Sequence, residues 1–127
     1  MWLTVEGSSM VPLLRRGDRV LVQPCSAASV TPGDLVVMGE GAHLCTHRLI
    51  SKMHRDGRDY LRTKGDDCGR WDEPLPVERL IGKVTVIDRG ARQIRLERAV
   101  WRVLNRLLLV YSLLMGWLLW SKWRLQA

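Results

Sequence analysis

Turn-forming residues cut the first 98 positions into short pieces, and that punctuation limits the fold more than any other feature. Arg16-Gly17-Asp18, Thr31-Pro32-Gly33-Asp34, Gly39–Gly41, Arg55–Gly57 and Arg89-Gly90 each bring Gly, Pro or Asp to a point where the chain can reverse. The stretches between them are short and rich in Val, Ile and Leu, so they read as strands. The expected strands are Trp2–Glu6, Arg19–Gln23, Asp34–Met38, Leu44–Met53, Tyr60–Thr63, Leu80–Ile87 and Gln93–Glu97. Residues 68–79, with Pro74 and Pro76, form an ordered excursion. Many short strands with regular turns predict a mainly β fold, a small barrel or sandwich. A helical pattern first appears near Arg98. The chain thus divides into a β domain, residues 1–98, and a hydrophobic helix, residues 99–127.

Charge follows the same division. Residues 1–88 hold twelve cations and twelve carboxylates; residues 89–127 hold eight cations and only Glu97, which accounts for the whole net charge of +7. A generic nucleic-acid binder spreads basic residues over its folded face, so no nucleic-acid partner is expected. A basic, Trp-rich tail fits an anionic membrane surface. Leu107 to Trp120 is an uncharged run, flanked by Arg102 and Arg106 before it and by Lys122 and Arg124 after it. It reaches spanning length only if those flanking cations snorkel to the interfaces. Trp101, Trp117, Trp120 and Trp123 lie toward its ends, where indole rings favour the headgroup region. Three readings follow: a short span or deeply inserted helix, a helix lying in the interface, or a helix docked on the body or on a second copy. Ser112 and Gly116 form a small-x-x-x-small pair through which the tail could bring copies together as a homo-oligomer.

The three cysteines, Cys25, Cys45 and Cys68, are odd in number and contain no C-x-x-C pair, so a reducing compartment is expected rather than a disulfide scaffold. Nothing ahead of Ser9 has the length or apolarity of a signal peptide or a span.

Three segments carry chemistry. In Glu6-Gly7-Ser8-Ser9-Met10-Val11-Pro12, a serine sits at the end of a strand, between flexible Gly7 and rigid Pro12. Such a turn exposes a hydroxyl and aims backbone N–H groups at the same point, as a nucleophile with an oxyanion hole requires. By itself, Gly-Ser-Ser is an ordinary loop. The second segment, Cys45-Thr46-His47-Arg48, places an imidazole in a strand; imidazole is the usual base for a hydroxyl, although a lone strand histidine is commonly structural. The third, Thr63-Lys64-Gly65-Asp66-Asp67-Cys68-Gly69-Arg70-Trp71-Asp72, gathers carboxylates around a glycine turn, where one could orient the imidazole. His43, Cys45 and His47 share a strand face, with Cys68 as a fourth candidate, but they match no standard zinc spacing. The Asp run lacks the spacing of a calcium loop. No metal or cofactor is expected.

Taken in order, Ser9-Met10-x-Pro12, Gly17-Asp18, Gly33-Asp34-Leu35-Val36-Val37, His47-Arg48-Leu49, Thr63-Lys64-Gly65-Asp66, Asp72 and Leu80-Ile81-Gly82-Lys83-Val84 resemble the type I signal peptidases over about residues 3–87. The closest resemblance is to the branch that uses His as base, the endoplasmic-reticulum, archaeal and spore-former type. In the common bacterial branch, and in the related self-cleaving SOS repressors, a Lys stands at the His47 position. The resemblance implies a small β-barrel catalytic core and a serine endopeptidase that cleaves signal or leader peptides after small residues. It makes Ser9 the nucleophile, His47 the base, Asp72 the triad carboxylate and Asp66 a second required carboxylate. Some members carry a serine two residues before the nucleophile; Gly7 stands there instead. The turn Ser8-Ser9-Met10 is then the substrate and oxyanion subsite, its donors being backbone N–H groups, including that of Ser9.

The family usually carries its anchor ahead of the catalytic serine, whereas here the apolar segment follows the domain. Six Arg lie between Arg89 and Arg106 and only Lys122 and Arg124 follow the run, a bias that places the body on the cytoplasmic face. The alternatives are a self-cleaving regulator of the same fold, a membrane-tethered peptide-binding domain without turnover, and an assembly module driven by the tail.

Overall fold

The computed structural model describes residues 1–10, 13–40 and 42–126. Pro12 and Gly41, and the side chains of Lys122, Trp123 and Arg124, lie outside the described residues. Among the described residues the main elements are eight strands and one long helix: β1 (Trp2–Thr4), β2 (Arg19–Gln23), β3 (Leu35–Glu40), β4 (His43–Arg55), β5 (Arg58–Lys64), β6 (Leu75–Pro76), β7 (Leu80–Asp88), β8 (Gln93–Arg95) and α1 (Ala99–Gln126). All pairings are antiparallel, in the order β1-β2-β7-β3-β4-β5-β6, with β8 also paired to β7. The result is a mainly β, half-barrel sheet with one C-terminal helix, as the turn pattern predicts.

Irregularities at Leu21/Val22, Val37/Met38 and Leu49/Ser51 shift the register within the long strands. Such bulges sharpen the local twist and let the sheet curl. β3 is buried on both faces. Leu35 and Val37 join one core with Leu14, Val20, Val84 and Ile87, while Val36 and Met38 join a second with Val30, Leu49 and Leu61. This explains why β3 reads as an unbroken apolar run rather than an alternating one.

Several boundaries differ from expectation. β1 ends at Thr4, not Glu6, although the Val5 N–H still bonds to Asp18 O at 2.8 Å. Gly39, expected in a turn, lies inside β3 opposite Leu44. The excursion at 68–79 contains β6 and a single 3-10 turn, Val77–Arg79, and another such turn occupies Ala27–Ser29. Short elements of this kind have too few residues to show a period.

Helix α1 lies along the body. Trp101 and Leu108 pack on the first core, and Asn105, Ser112 and Gly116 face inward. A Cβ on Gly116 would fall 2.9 Å from Lys64 Cε, so a larger residue here would make the end of the lysine side chain shift. The small pair expected to receive a partner helix is therefore occupied by the body itself. Ala99–Ser121 is long and apolar enough to cross a membrane, with a mean hydropathy of 1.6.

Candidate active site

Ser9 stands in the turn that leaves β1. Its neighbour Met10 is buried, and the Met10 thioether accepts the Asp66 N–H at 3.4 Å, which pins the turn to the loop after β5. The Asp67 N–H donates to Ser9 O at 2.8 Å. Behind the turn, Asp18 accepts from Arg15 N–H at 2.9 Å and from Arg89 Nε at 3.0 Å, while an Arg89 N–H also bonds to Leu13 O. The expected Gly17-Asp18 turn is therefore the clasp that closes the serine loop.

His47 lies on β4 opposite Val36 of β3. Ser9 Oγ and His47 Nε2 are 3.0 Å apart. On the other side of the ring, Nδ1 is hydrogen-bonded to Asp72 Oδ2. That same oxygen accepts from Thr63 Oγ1 at 2.8 Å, and the Asp72 N–H donates to Thr63 O at 2.9 Å. Thr63 thus places Asp72 through both backbone and side chain. Hydroxyl, imidazole and carboxylate form one line. This is the arrangement in which a base takes a hydroxyl proton while an acid fixes its tautomer.

The electrostatics follow from burial and partners. Burial of the ring opposes its charged form, but hydrogen bonds to Asp72 and then Cys45 outweigh this and push the His47 pKa up to about 9. Burial would raise the Asp72 carboxyl, but the bonds from His47 and Thr63 hold it below the usual carboxylate range. Cys45, exposed two positions before His47, is a neighbour of the imidazole; among the described residues no group of three metal-ligating side chains is present.

Asp66 does not meet the imidazole. Its two oxygens accept from Arg48 Nε at 2.8 Å and Arg48 Nη2 at 2.7 Å, and both residues are fully buried. The second carboxylate that the resemblance requires thus meets Arg48 and not the His47 ring. Arg48 also donates to Gly33 O at 2.7 Å and to Asn105 Oδ1 at 3.3 Å. The pair ties the strand bearing His47 to the loop bearing Asp72. Lys64 is equally buried; its Nζ donates to Gly65 O at 2.9 Å and to Ser112 Oγ at 3.1 Å. Burial lowers its pKa, against the pull of Asp66. The hydroxyl that meets a lysine in this fold is therefore Ser112, and the one that meets a base at the surface is Ser9. Gly65 is held tightly, since a Cβ there would fall 2.9 Å from Ser9 O and 3.0 Å from Ser9 Cβ.

A groove of about 440 Å³ opens beside Ser9, walled by Leu3, Val5 and Gly7 on one side and by Leu44 and Cys45 on the other. Ser8 is exposed, whereas the buried Met10 side chain leaves only its backbone for substrate. The line of hydroxyl, imidazole and carboxylate opens onto this groove. A model of the Peptidase S24-like family matches residues 1–67. The chain belongs to the Peptidase S24-like family. No curated protein and no solved structure matches it. As an S24-like peptidase it is a hydrolase of the serine type, or a self-cleaving regulatory peptidase on the same fold. The match takes in Ser9, His47 and Asp66 and ends before Asp72. The sequence includes Thr63 in a motif but gives it no role, and does not single out Asn105. Asn105 stands seven positions before Ser112, a spacing that puts both on one side of the helix.

Proposed function

We propose that the chain is a serine endopeptidase of the signal peptidase type, cleaving signal or leader peptides after small residues at a membrane. The observation that carries this reading is the line from Ser9 Oγ through His47 to Asp72. The base is a histidine, as in the His branch that the sequence resembles, and Lys64 is engaged elsewhere. The deprotonated imidazole takes the Ser9 proton as Oγ attacks the scissile carbonyl. The imidazolium, steadied by Asp72, returns that proton to the leaving amine. An acyl-enzyme remains on Ser9, and a water activated by the same base releases it. Asp66 and Arg48 hold the two halves of the site in register. The groove beside Ser9, walled in part by Leu3, Val5 and Leu44, supports a reading in which an extended peptide with small side chains lies along it. Residues 99–127 supply the membrane contact, and the six arginines before the apolar run favour a body on the cytoplasmic face.

The test is cleavage of a peptide with an Ala-x-Ala site by the full chain in detergent. Native protein cuts after the second alanine, and Ser9→Ala and His47→Ala variants do not. Cleavage that survives either change removes the triad assignment. Cleavage confined to the chain itself, at a rate independent of protein concentration, favours the self-cleaving alternative.

A further inference from the structure

Helix α1 presents a second surface that the peptidase chemistry does not use. Val103, Leu107, Val110, Leu114 and Trp117 form a stripe on the side away from the body, each more than half exposed. Meanwhile the inner face is committed along most of the helix. Asn105 bonds to Arg48, Ser112 bonds to Lys64, and Leu119 Cβ would lie 3.3 Å from a Cβ on Gly69. Pulling α1 out as a span would strip partners from two buried cations, a costly step. The docked helix and the spanning helix are mutually exclusive.

At about 100° per residue, Arg102, Arg106 and Trp120 fall along one edge, between the buried and outward stripes. Two recesses open along that edge. One, of about 330 Å³, is lined by three cations, Lys83, Arg102 and Arg106, against one carboxylate, Asp34, which accepts from the Thr31 N–H. The other, of about 800 Å³, is lined by Arg62, Arg70, Trp71 and Trp120, with the Arg62 guanidinium 4.7 Å from the Trp71 ring centroid.

The geometry points to an anionic bilayer met side-on. The outward stripe of α1 enters the acyl boundary, and the two basic recesses take lipid phosphates at its edge. Charge selects this occupant over a second copy, because Lys83, Arg102, Arg106, Arg62 and Arg70 line this edge against the single carboxylate of Asp34, and two such edges would repel. The inference deepens the membrane part of the reading above. It places the catalytic line one loop from the bilayer, since Trp71 precedes Asp72 and Gly69 abuts Leu119.

Flotation of the full chain with phosphatidylcholine vesicles, with and without phosphatidylglycerol, tests it. The expected result is binding that requires phosphatidylglycerol and is released by high salt. Arg102→Gln and Arg106→Gln should each weaken it about fivefold. Leu107→Asp combined with Leu114→Asp should abolish it, with circular dichroism confirming an intact fold. Retention on phosphatidylcholine alone that resists alkaline carbonate overturns the proposal in favour of a span. A dimer that does not float overturns it in favour of a second copy. Peptide cleavage by the native chain in detergent reports on the peptidase reading alone.

Discussion

His47 is held as an imidazolium near neutral pH, because its bond to Asp72 raises its pKa to about 9. Only the deprotonated ring can take the Ser9 proton, so about one molecule in a hundred is poised at pH 7. The expected kcat/KM therefore climbs about tenfold per pH unit and levels off near 9. Replacing the acid by Asp72→Asn should move the inflection down toward 6.5 and lower the plateau about 10²–10⁴-fold. A pH–rate profile checks both, and a flat profile from neutral to alkaline pH contradicts them. Stability follows the same groups. His47 is raised on folding, so its contribution is complete below 6.5 and is lost as pH rises through about 9. Asp72 is lowered, so its contribution is present above 3.8 and is lost as pH falls through its folded value. Thermal melts should therefore show a falling Tm on the alkaline side. At this scale Ser9, His47 and Asp72 are legible in the sequence through their ordered motifs. That Asp66 pairs with Arg48 is not, because it depends on how the loop after β5 folds back onto the body.

The loop between β5 and β6 is the element on which the site depends. It touches Ser9 at Gly65, carries Asp72 and rests on α1. Gly65→Ala would press a methyl against Ser9, and a shift of about 1 Å there should cost about 100-fold in kcat with the fold intact. Steady-state kinetics beside a chemical denaturation curve separates the two effects. Asp66→Ala should instead act on stability, costing about 3–5 kcal/mol by leaving the Arg48 guanidinium buried and unpaired. A variant that folds normally but has lost its pH inflection would restore Asp66 to the tautomer role. Strands β2 and β7 were readable to within a residue, because turns bound them and their residues are strongly β-forming. β6 and the end of β1 were not, since long-range pairing rather than local pattern fixes them.

For the whole molecule, the apolar tail is built into the body. Arg48 and Lys64 are fully buried and reach α1 at Asn105 and Ser112. Ser112→Val should cost about 1–3 kcal/mol, because Lys64 loses an acceptor in a dry site, whereas Ser112→Thr should restore most of it. Denaturant unfolding reads the difference. The composition announced an apolar helix with a basic surplus, but nothing in the sequence names Arg48 and Lys64 as the groups that dock it. Trp101 and Leu108 give the docked face its apolar contacts and Asn105 and Ser112 its polar ones, in a run whose overall hydropathy also suits a membrane.

The most direct measurement is the intact mass of the full chain after reaction with an acylating, serine-directed probe, followed by peptide mapping. A single adduct on Ser9, absent from Ser9→Ala and strongly slowed in His47→Ala, is the predicted result. An adduct that maps elsewhere, or one that forms at the same rate without the His47 imidazole, would contradict the account.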